Sequence, residues 1–215
     1  MDYILIDLDG TITNPKEGIT KSVQYALRAM DINIDDLDSL KKHIGPPLRD
    51  GFMEYYGFDE EKTEKAIIKY REYYGEKGIH ENEVYDGMER LLTRLKQAGK
   101  YLIVATSKPE ELAVKVLENF HLEHYFDDIC GATFDDRRDS KEAVIRYAIE
   151  KNSITDSDGI VMIGDRKYDI IGAKAVGIAS VGVLYGFGSE EELKEAGADH
   201  IAATVDDLYD IIIGL

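Results

Sequence analysis

Only one cysteine, Cys130, occurs in 215 residues, so no internal disulfide can form and the chain fits a reducing compartment. Set between Ile129 and Gly131, that thiol reads as a core filler rather than a nucleophile. No apolar run reaches the ~18 residues of a membrane-spanning helix. The first residues lead directly into an apolar strand with no leader-like segment, so a soluble, cytoplasmic protein without a membrane partner is expected. Basic residues are scarce: 26 Lys and Arg stand against 43 Asp and Glu, a formal charge of -17. With the acidic excess spread along the chain and no basic stripe, a nucleic-acid polymer is not an expected partner. An anionic substrate must then be drawn in by local cations or by a bound divalent metal. Low-complexity segments and fixed-period repeats are absent as well.

What is present is enough apolar material, 44% of residues, for one large core with a smaller insertion. A strand at Ile4-Leu5-Ile6 opens the chain. Ile12-Thr13-Asn14-Pro15 breaks the pattern, and the stretch to about residue 80 is helical by apolar spacing. Its faces are Ile19, Val23, Leu27 and Met30, then Leu37, Leu40 and Ile44, then Leu48, Phe52 and Tyr55, then Ala66, Ile67, Tyr70 and Tyr74. Gly45-Pro46-Pro47 ends one helix and restarts another. About four helices are expected here, an all-α bundle over 15-83 that can act as a lid.

From residue 84 helices and strands alternate. Asp86 is expected to start a helix running to Gly99, followed by a strand at Tyr101 to Thr106 and a helix opened by Pro109. A short strand near Asp128 to Cys130, a helix capped by Ser140, a strand at Gly159 to Ile163 and a helix around Ile170 to Val176 come next. A strand at Ile178 to Val183, a helix at 189-196, a weak strand at His200 to Ala202 and a last helix from Val205 to Ile213 complete the chain. Repeated strand-helix units imply an α/β fold with a mostly parallel sheet covered on both faces. The core is therefore expected to be 1-14 with 84-215.

The chemistry is concentrated at strand ends. Asp7 and Asp9 lie two apart after an apolar strand, so both project to one side while Leu8 turns inward, and Gly10 permits a sharp turn close to a ligand. Parallel sheets bind ligands at the carboxyl ends of their strands. Thr106 and Ser107 supply a hydroxyl and backbone N–H groups suited to phosphate oxygens. Lys141, just after a helix cap, brings a compact positive charge. Gly164-Asp165-Arg166-Lys167-Tyr168-Asp169 adds carboxylates four residues apart. Asp7 and Asp165, with waters and a phosphate oxygen, make an all-oxygen shell that suits Mg2+.

Taken together, DLDGT at 7-11, ATS at 105-107, Lys141 and GDRKYD at 164-169 resemble the four ordered motifs of the haloacid dehalogenase superfamily of phosphatases. That resemblance implies a Rossmann-like core with a small helical cap inserted after the first motif, as in the phosphoglycolate phosphatase-like group. IGPPLRDGF at 44-52, VATSKP at 104-109 and VLYGFGS at 183-189 are also similar to a bacterial 5'-nucleotidase-like branch. Asn14 stands where many relatives carry an acidic residue, at the cap hinge. The resemblance implies that Asp7 forms an aspartyl-phosphate, that Asp9 serves as acid and then base, and that Mg2+ is bound by Asp7, the Asp9 carbonyl and Asp165. Thr106, Ser107 and Lys141 would hold the phosphate. Asp169 either completes the metal shell or orients Lys141.

Arg49, Lys108 and Arg138 are further cations that can reach a substrate anion. His121 and His124 lack the partner pattern of a zinc site. The tyrosines at 55, 56, 70, 73 and 74 read as cap core and rim, although a nucleotidase would need such rings. The expected activity is Mg2+-dependent hydrolysis of a small phosphorylated metabolite, phosphoglycolate-like or a nucleoside 5'-monophosphate. Asp9 argues against a haloacid dehalogenase or phosphonatase. A sugar-phosphate phosphomutase or phosphotransferase is the alternative, and a non-catalytic metal- or phosphate-binding protein is a second. Oligomeric state is left open, with a monomer the default.

Overall fold

The computed structural model describes every residue except Asp136, and at Asp158 the backbone but not the side chain. The chain forms two compact units, one of Met1–Asn14 with Val84–Leu215 and one of Pro15–Glu83.

The first unit is built on β1 (Tyr3–Ile6), β4 (Tyr101–Pro109), β5 (Asp128–Ala132), β6 (Ile160–Gly164), β7 (Ala179–Val183) and β8 (His200–Ala202). They form a six-stranded sheet in the order β5-β4-β1-β6-β7-β8, with every pair parallel. Ile4, Leu5, Leu102, Ile103, Val104, Val161 and Met162 are fully buried, as unbroken apolar strands must be when helices cover both faces. The covering helices are α4 (Met88–Gln97), α5 (Glu110–Asn119), α6 (Lys141–Lys151), α7 (Lys167–Val176), α8 (Glu190–Ala196) and α9 (Val205–Gly214). β1 lies centrally, with Ile6 level with Val104 on one side and Ile163 on the other. Chain order runs outward from β1 in both directions, which makes its carboxyl end a topological switch point and the place for a ligand crevice. A two-residue strand β2 (Thr13–Asn14) pairs with β3 (Glu83–Val84) where the chain leaves and rejoins this unit.

Several boundaries differ from expectation: α7 starts at Lys167 and not near Ile170, and β5 runs on to Ala132. Gly87 takes a left-handed φ of 84° and caps α4, so the helix begins at Met88 and not at Asp86. β4 does not end at Thr106 but continues to Pro109, and its pairing with β5 slips between those two residues.

The second unit contains α1 (Lys16–Arg28), α2 (Leu48–Tyr56) and α3 (Glu60–Tyr73). Leu37–His43, expected as an α-helix, is a 3-10 segment. Pro46 and Pro47, which lack the backbone N–H, follow closely and stop the segment from being extended as an α ladder. Tyr74–Gly78 closes as a π-helical turn instead of prolonging α3. Among the described residues no helix is long and apolar enough to cross a membrane.

Candidate active site

Asp7 continues the line of β1, its N–H donating to the Ile163 carbonyl at 2.9 Å. Beyond it the chain folds under itself, with the Leu8 carbonyl accepting from the N–H groups of Thr11, Ile12 and Thr13. Leu8 is fully buried, and Asp7 and Asp9 are left at the strand's end. Gly10 has φ 93° and lies against Asp165 so closely that a Cβ there would overlap the carboxylate. Glycine is required on both counts.

Four buried charges meet at this end of the sheet. Lys141, 5% exposed at the first residue of α6, has its Nζ 2.8 Å from Asp7 Oδ1 and 2.8 Å from Asp169 Oδ1. It also donates to the Ala105 carbonyl at 3.0 Å. One ammonium is thus shared between the two carboxylates as a pair of ion pairs. Asp165 is completely buried. Its Oδ2 accepts from the Phe187 N–H at 2.7 Å, and its Oδ1 has no partner. Asp169 is buried at the start of α7, where Oδ2 accepts from the Arg166 N–H at 3.1 Å.

Electrostatics follow from three clustered carboxylates, two of them paired with one lysine, out of water. Burial pushes Asp165 well above the ordinary range, and Asp169 and Asp7 add to the rise. Burial likewise lifts Asp169 to about 6, with Lys141 opposing and Asp7 reinforcing the shift. For Lys141, burial works against the charge, but Asp169 and Asp7 more than reverse it and the ammonium is held above its usual range. Such a site has excess buried negative charge that lysine alone does not balance.

Asp7, Asp165 and Asp169 each offer a carboxylate oxygen, all within 4.8 Å of one another. An all-oxygen, strongly anionic and under-bonded donor set fits a hard dication such as Mg2+. His121 and His124 join no three-member ligand cluster among the described residues.

Asp9 has a different partner. Its Oδ2 accepts from Lys108 Nζ at 2.5 Å, with both side chains largely buried, and its buried Oδ1 has no partner. Burial raises the Asp9 carboxyl above its usual range, and Lys108 only partly opposes this. Thr106 is buried at the shifted part of β4, its Oγ1 accepting from the Lys108 N–H at 3.2 Å. Ser107 is half-buried beside it.

The remaining predicted cations lie elsewhere. Arg138 donates through Nε to the Gly131 carbonyl at 2.6 Å, pairs with Glu110 at 3.2 Å and stacks over Tyr147. Arg49 lies in the helical unit and pairs with Glu60 and Glu64 at 2.7 and 3.0 Å.

The glycine-containing loop after β7, within VLYGFGS at 183-189, marks the family branch in the sequence but holds none of the expected site residues. The Phe187 N–H on Asp165 comes from this loop, as does Tyr185, whose hydroxyl donates to the Thr11 carbonyl at 3.2 Å. Gly186 touches both Asp165 and the Gly10 carbonyl, with no room for a Cβ. The signal available was the pair of glycines in YGFG immediately after an apolar strand.

The model of the haloacid dehalogenase-like hydrolases matches residues 4–183. The chain is 43% identical over 209 residues to a 5'-nucleotidase of Pseudomonas aeruginosa, covering 97% of this chain and 94% of that protein. It is 35% identical over 211 residues to the tyrosine-protein kinase PtkA of Mycobacterium tuberculosis, covering 97% of this chain and 72% of that one. A solved structure described as a predicted phosphatase from Clostridium acetobutylicum superposes with a TM-score of 0.97 at 54% identity, over 100% of this chain and 99% of that one. With the motifs carried on adjacent strand ends of one parallel sheet, the chain belongs to the haloacid dehalogenase-like hydrolase family.

Proposed function

We propose that this hydrolase is a Mg2+-dependent phosphomonoesterase that passes through an aspartyl-phosphate on Asp7 and acts on a small phosphorylated metabolite. The observation that carries the reading is the convergence of Asp7, Lys141, Asp165 and Asp169, all buried, with Asp165 Oδ1 left without a partner. A structural ion-pair cluster would satisfy that oxygen and balance the charge around it.

In the first step an Asp7 carboxylate oxygen attacks phosphorus. A bond from Asp7 to phosphorus forms, the ester bond to the leaving oxygen breaks, and Asp9 gives that oxygen its proton. In the second step Asp9 takes a proton from water as the water oxygen attacks phosphorus, and the bond to Asp7 breaks to release inorganic phosphate. The raised Asp9 carboxyl suits it to carry a proton between the two steps. Lys141 fixes Asp7 and supplies permanent positive charge beside the phosphoryl oxygens, while the Thr106 hydroxyl and Ser107 offer donors to them. Mg2+ held by Asp7, the Asp9 carbonyl and Asp165 would neutralise charge on the reacting anions and polarise phosphorus. Asp169 contacts Lys141 and also lies within the carboxylate cluster, so we assign it both to orienting the lysine and to tuning the metal shell. The inserted unit Pro15–Glu83 is assigned the cap role and, with it, substrate selection.

The 5'-nucleotidase relative favours a nucleoside 5'-monophosphate over phosphoglycolate as substrate, because its identity of 43% exceeds the 24% of a phosphoglycolate phosphatase of Vibrio parahaemolyticus. A second reading, phosphoryl transfer to an acceptor other than water, is favoured by the kinase-named relative at 35% identity. It would use the same Asp7 intermediate. Phosphate release from 4-nitrophenyl phosphate, with Mg2+ and with chelator, tests the main reading. Metal-stimulated release is expected, and its absence from well-folded protein would sink the enzyme. A panel of nucleotides, phosphoglycolate, pyrophosphate and sugar phosphates, scored for free phosphate against transferred phosphate, separates the two readings.

A further inference from the structure

We infer that Lys108 is a positioning residue for proton transfer. It holds one oxygen of Asp9 so that the other, Oδ1, is the atom that exchanges a proton with the leaving group and with water. The inference rests on the phosphomonoesterase reading above and adds a residue to it.

Three observations carry it. Lys108 and Asp9 are 99 positions apart in sequence, yet their side chains meet at 2.5 Å with side-chain exposures of only 5% and 12%. A buried lysine aimed at one carboxylate oxygen is a costly arrangement unless that contact is needed. Asp9 Oδ1 is buried with no partner, so the lysine resolves two equivalent oxygens into one anchored and one available.

The backbone is built to deliver this side chain. In an even strand the residues after Thr106 would keep the β5 register, but the pairing jumps from Thr106 opposite Gly131 to Pro109 opposite Ala132. Three residues are thus gained on one strand for one on the other, an irregularity of the kind that re-aims side chains beside active sites. Gly131 makes room for it, since a Cβ there would lie 2.6 Å from the Lys108 carbonyl oxygen and from the Glu110 backbone nitrogen. Within the irregular segment the Lys108 N–H donates to Thr106 Oγ1 at 3.2 Å. That bond occupies an acceptor site of the hydroxyl and leaves its proton for a phosphoryl oxygen. One backbone distortion therefore sets both the phosphate donor and the proton carrier.

The test uses two esters of similar shape whose leaving groups differ in need for protonation: 4-nitrophenyl phosphate, whose phenolate departs readily, and phenyl phosphate, whose phenol is near pKa ~10. If Lys108 acts through Asp9, K108M lowers kcat/KM for both, and about tenfold more for phenyl than for nitrophenyl phosphate, a fraction of the 10²–10⁴-fold supplied by general acid catalysis. K108Q, which keeps a donor without the charge, should shift the ratio in the same direction by a smaller factor, and it carries the test if K108M does not fold. In a D9N background K108M should add less than about threefold to the loss, because an effect routed through one carboxylate is not additive with its removal.

Equal losses on the two esters, or an additive loss in the D9N background, would overturn the assignment by showing that Lys108 acts on phosphate or on the fold. If native protein with Mg2+ releases phosphate from neither ester, it is the phosphomonoesterase reading that fails.

Discussion

Both units bury titratable groups, and they do so to opposite effect. In the sheet unit Asp7 and Asp169 share Lys141, and Asp165 Oδ1 beside them has no partner. In the helical unit His43, 3% exposed, lies among Phe52, Tyr55 and Tyr56 at ring separations of 5.2 to 5.6 Å. Its Nε2 is 3.3 Å from the Tyr56 hydroxyl. Burial pulls this imidazole down to about 4, with Lys42 adding to the shift, so at neutral pH it is an uncharged aromatic among aromatics. One unit concentrates like charge that a bound proton or a further cation relieves. The other removes charge and packs. His43 Nδ1 is also buried without a partner, so it is the crowding of like charge, not an unmet atom by itself, that sets the sheet unit apart.

The largest effect that would sharpen this contrast is Asp7→Asn. Phosphate release should fall on the order of 10⁴-fold or more, with the melting temperature not lowered, because one of the crowded charges is gone. Residual turnover near native would remove Asp7 from the nucleophile role.

Asp165→Asn should trade function for stability. An Asn oxygen can still accept from the Phe187 N–H, while the buried charge disappears. In chelator the variant should melt roughly 2–4 °C above the native protein, about the shift that one kcal/mol gives a chain of this size. Addition of Mg2+ should raise the native melting temperature and leave the variant's unchanged. A variant less stable in chelator would mean that Asp165 is not a source of electrostatic strain.

Acid titration separates the units by sign. For His43 the folded value, about 4, lies below the unfolded 6.5, so its stabilising contribution is present above pH 6.5 and is lost as pH falls towards 4. That loss amounts to at most about 3 kcal/mol. Asp169 runs the other way: its value is raised from 3.8 to about 6, so its contribution is present below about pH 4 and lost as pH rises through 6. Amide exchange in chelator between pH 7 and 4.5 should show protection falling in α2 and α3. His43→Leu should abolish most of that fall. Equal pH dependence in the variant would clear His43 of the effect.

Smaller effects bound the comparison. Gly131→Ala, which forces backbone apart beside Lys108, should cost about 1–3 kcal/mol in a denaturant melt. It should also move the phenyl-to-nitrophenyl ratio in the direction of K108M. Arg49→Ala removes two pairs whose carboxylates are half or more exposed and should change stability by less than about 1 kcal/mol.

Much of the site could be read before any coordinates, because motifs on a parallel sheet carry their geometry with them. An apolar strand followed by DLDG can leave its aspartates only at the strand's carboxyl end, and GD after a second such strand does the same next to it. What escaped was set by contacts between distant segments. Leu37–His43 has helical spacing but forms a 3-10 segment ahead of the Gly45-Pro46-Pro47 stop. Lys108 was one of three undistinguished cations, and only the slip between β4 and β5 aims it at Asp9. Arg49 and Arg138 looked equivalent to it and sit in other networks. The loop after β7 joins the site because Gly186 lets its backbone come up against Asp165 and Gly10.

Local chemistry in the chain, then, determined the strand ends, the identity of the carboxylates and the family, since each depends on residues close in sequence and on a fixed strand period. Tertiary structure alone decided that Lys108 serves Asp9 and which of that carboxylate's oxygens stays unmet. Those outcomes depend on register and burial between segments about a hundred residues apart, and a local pattern encodes neither.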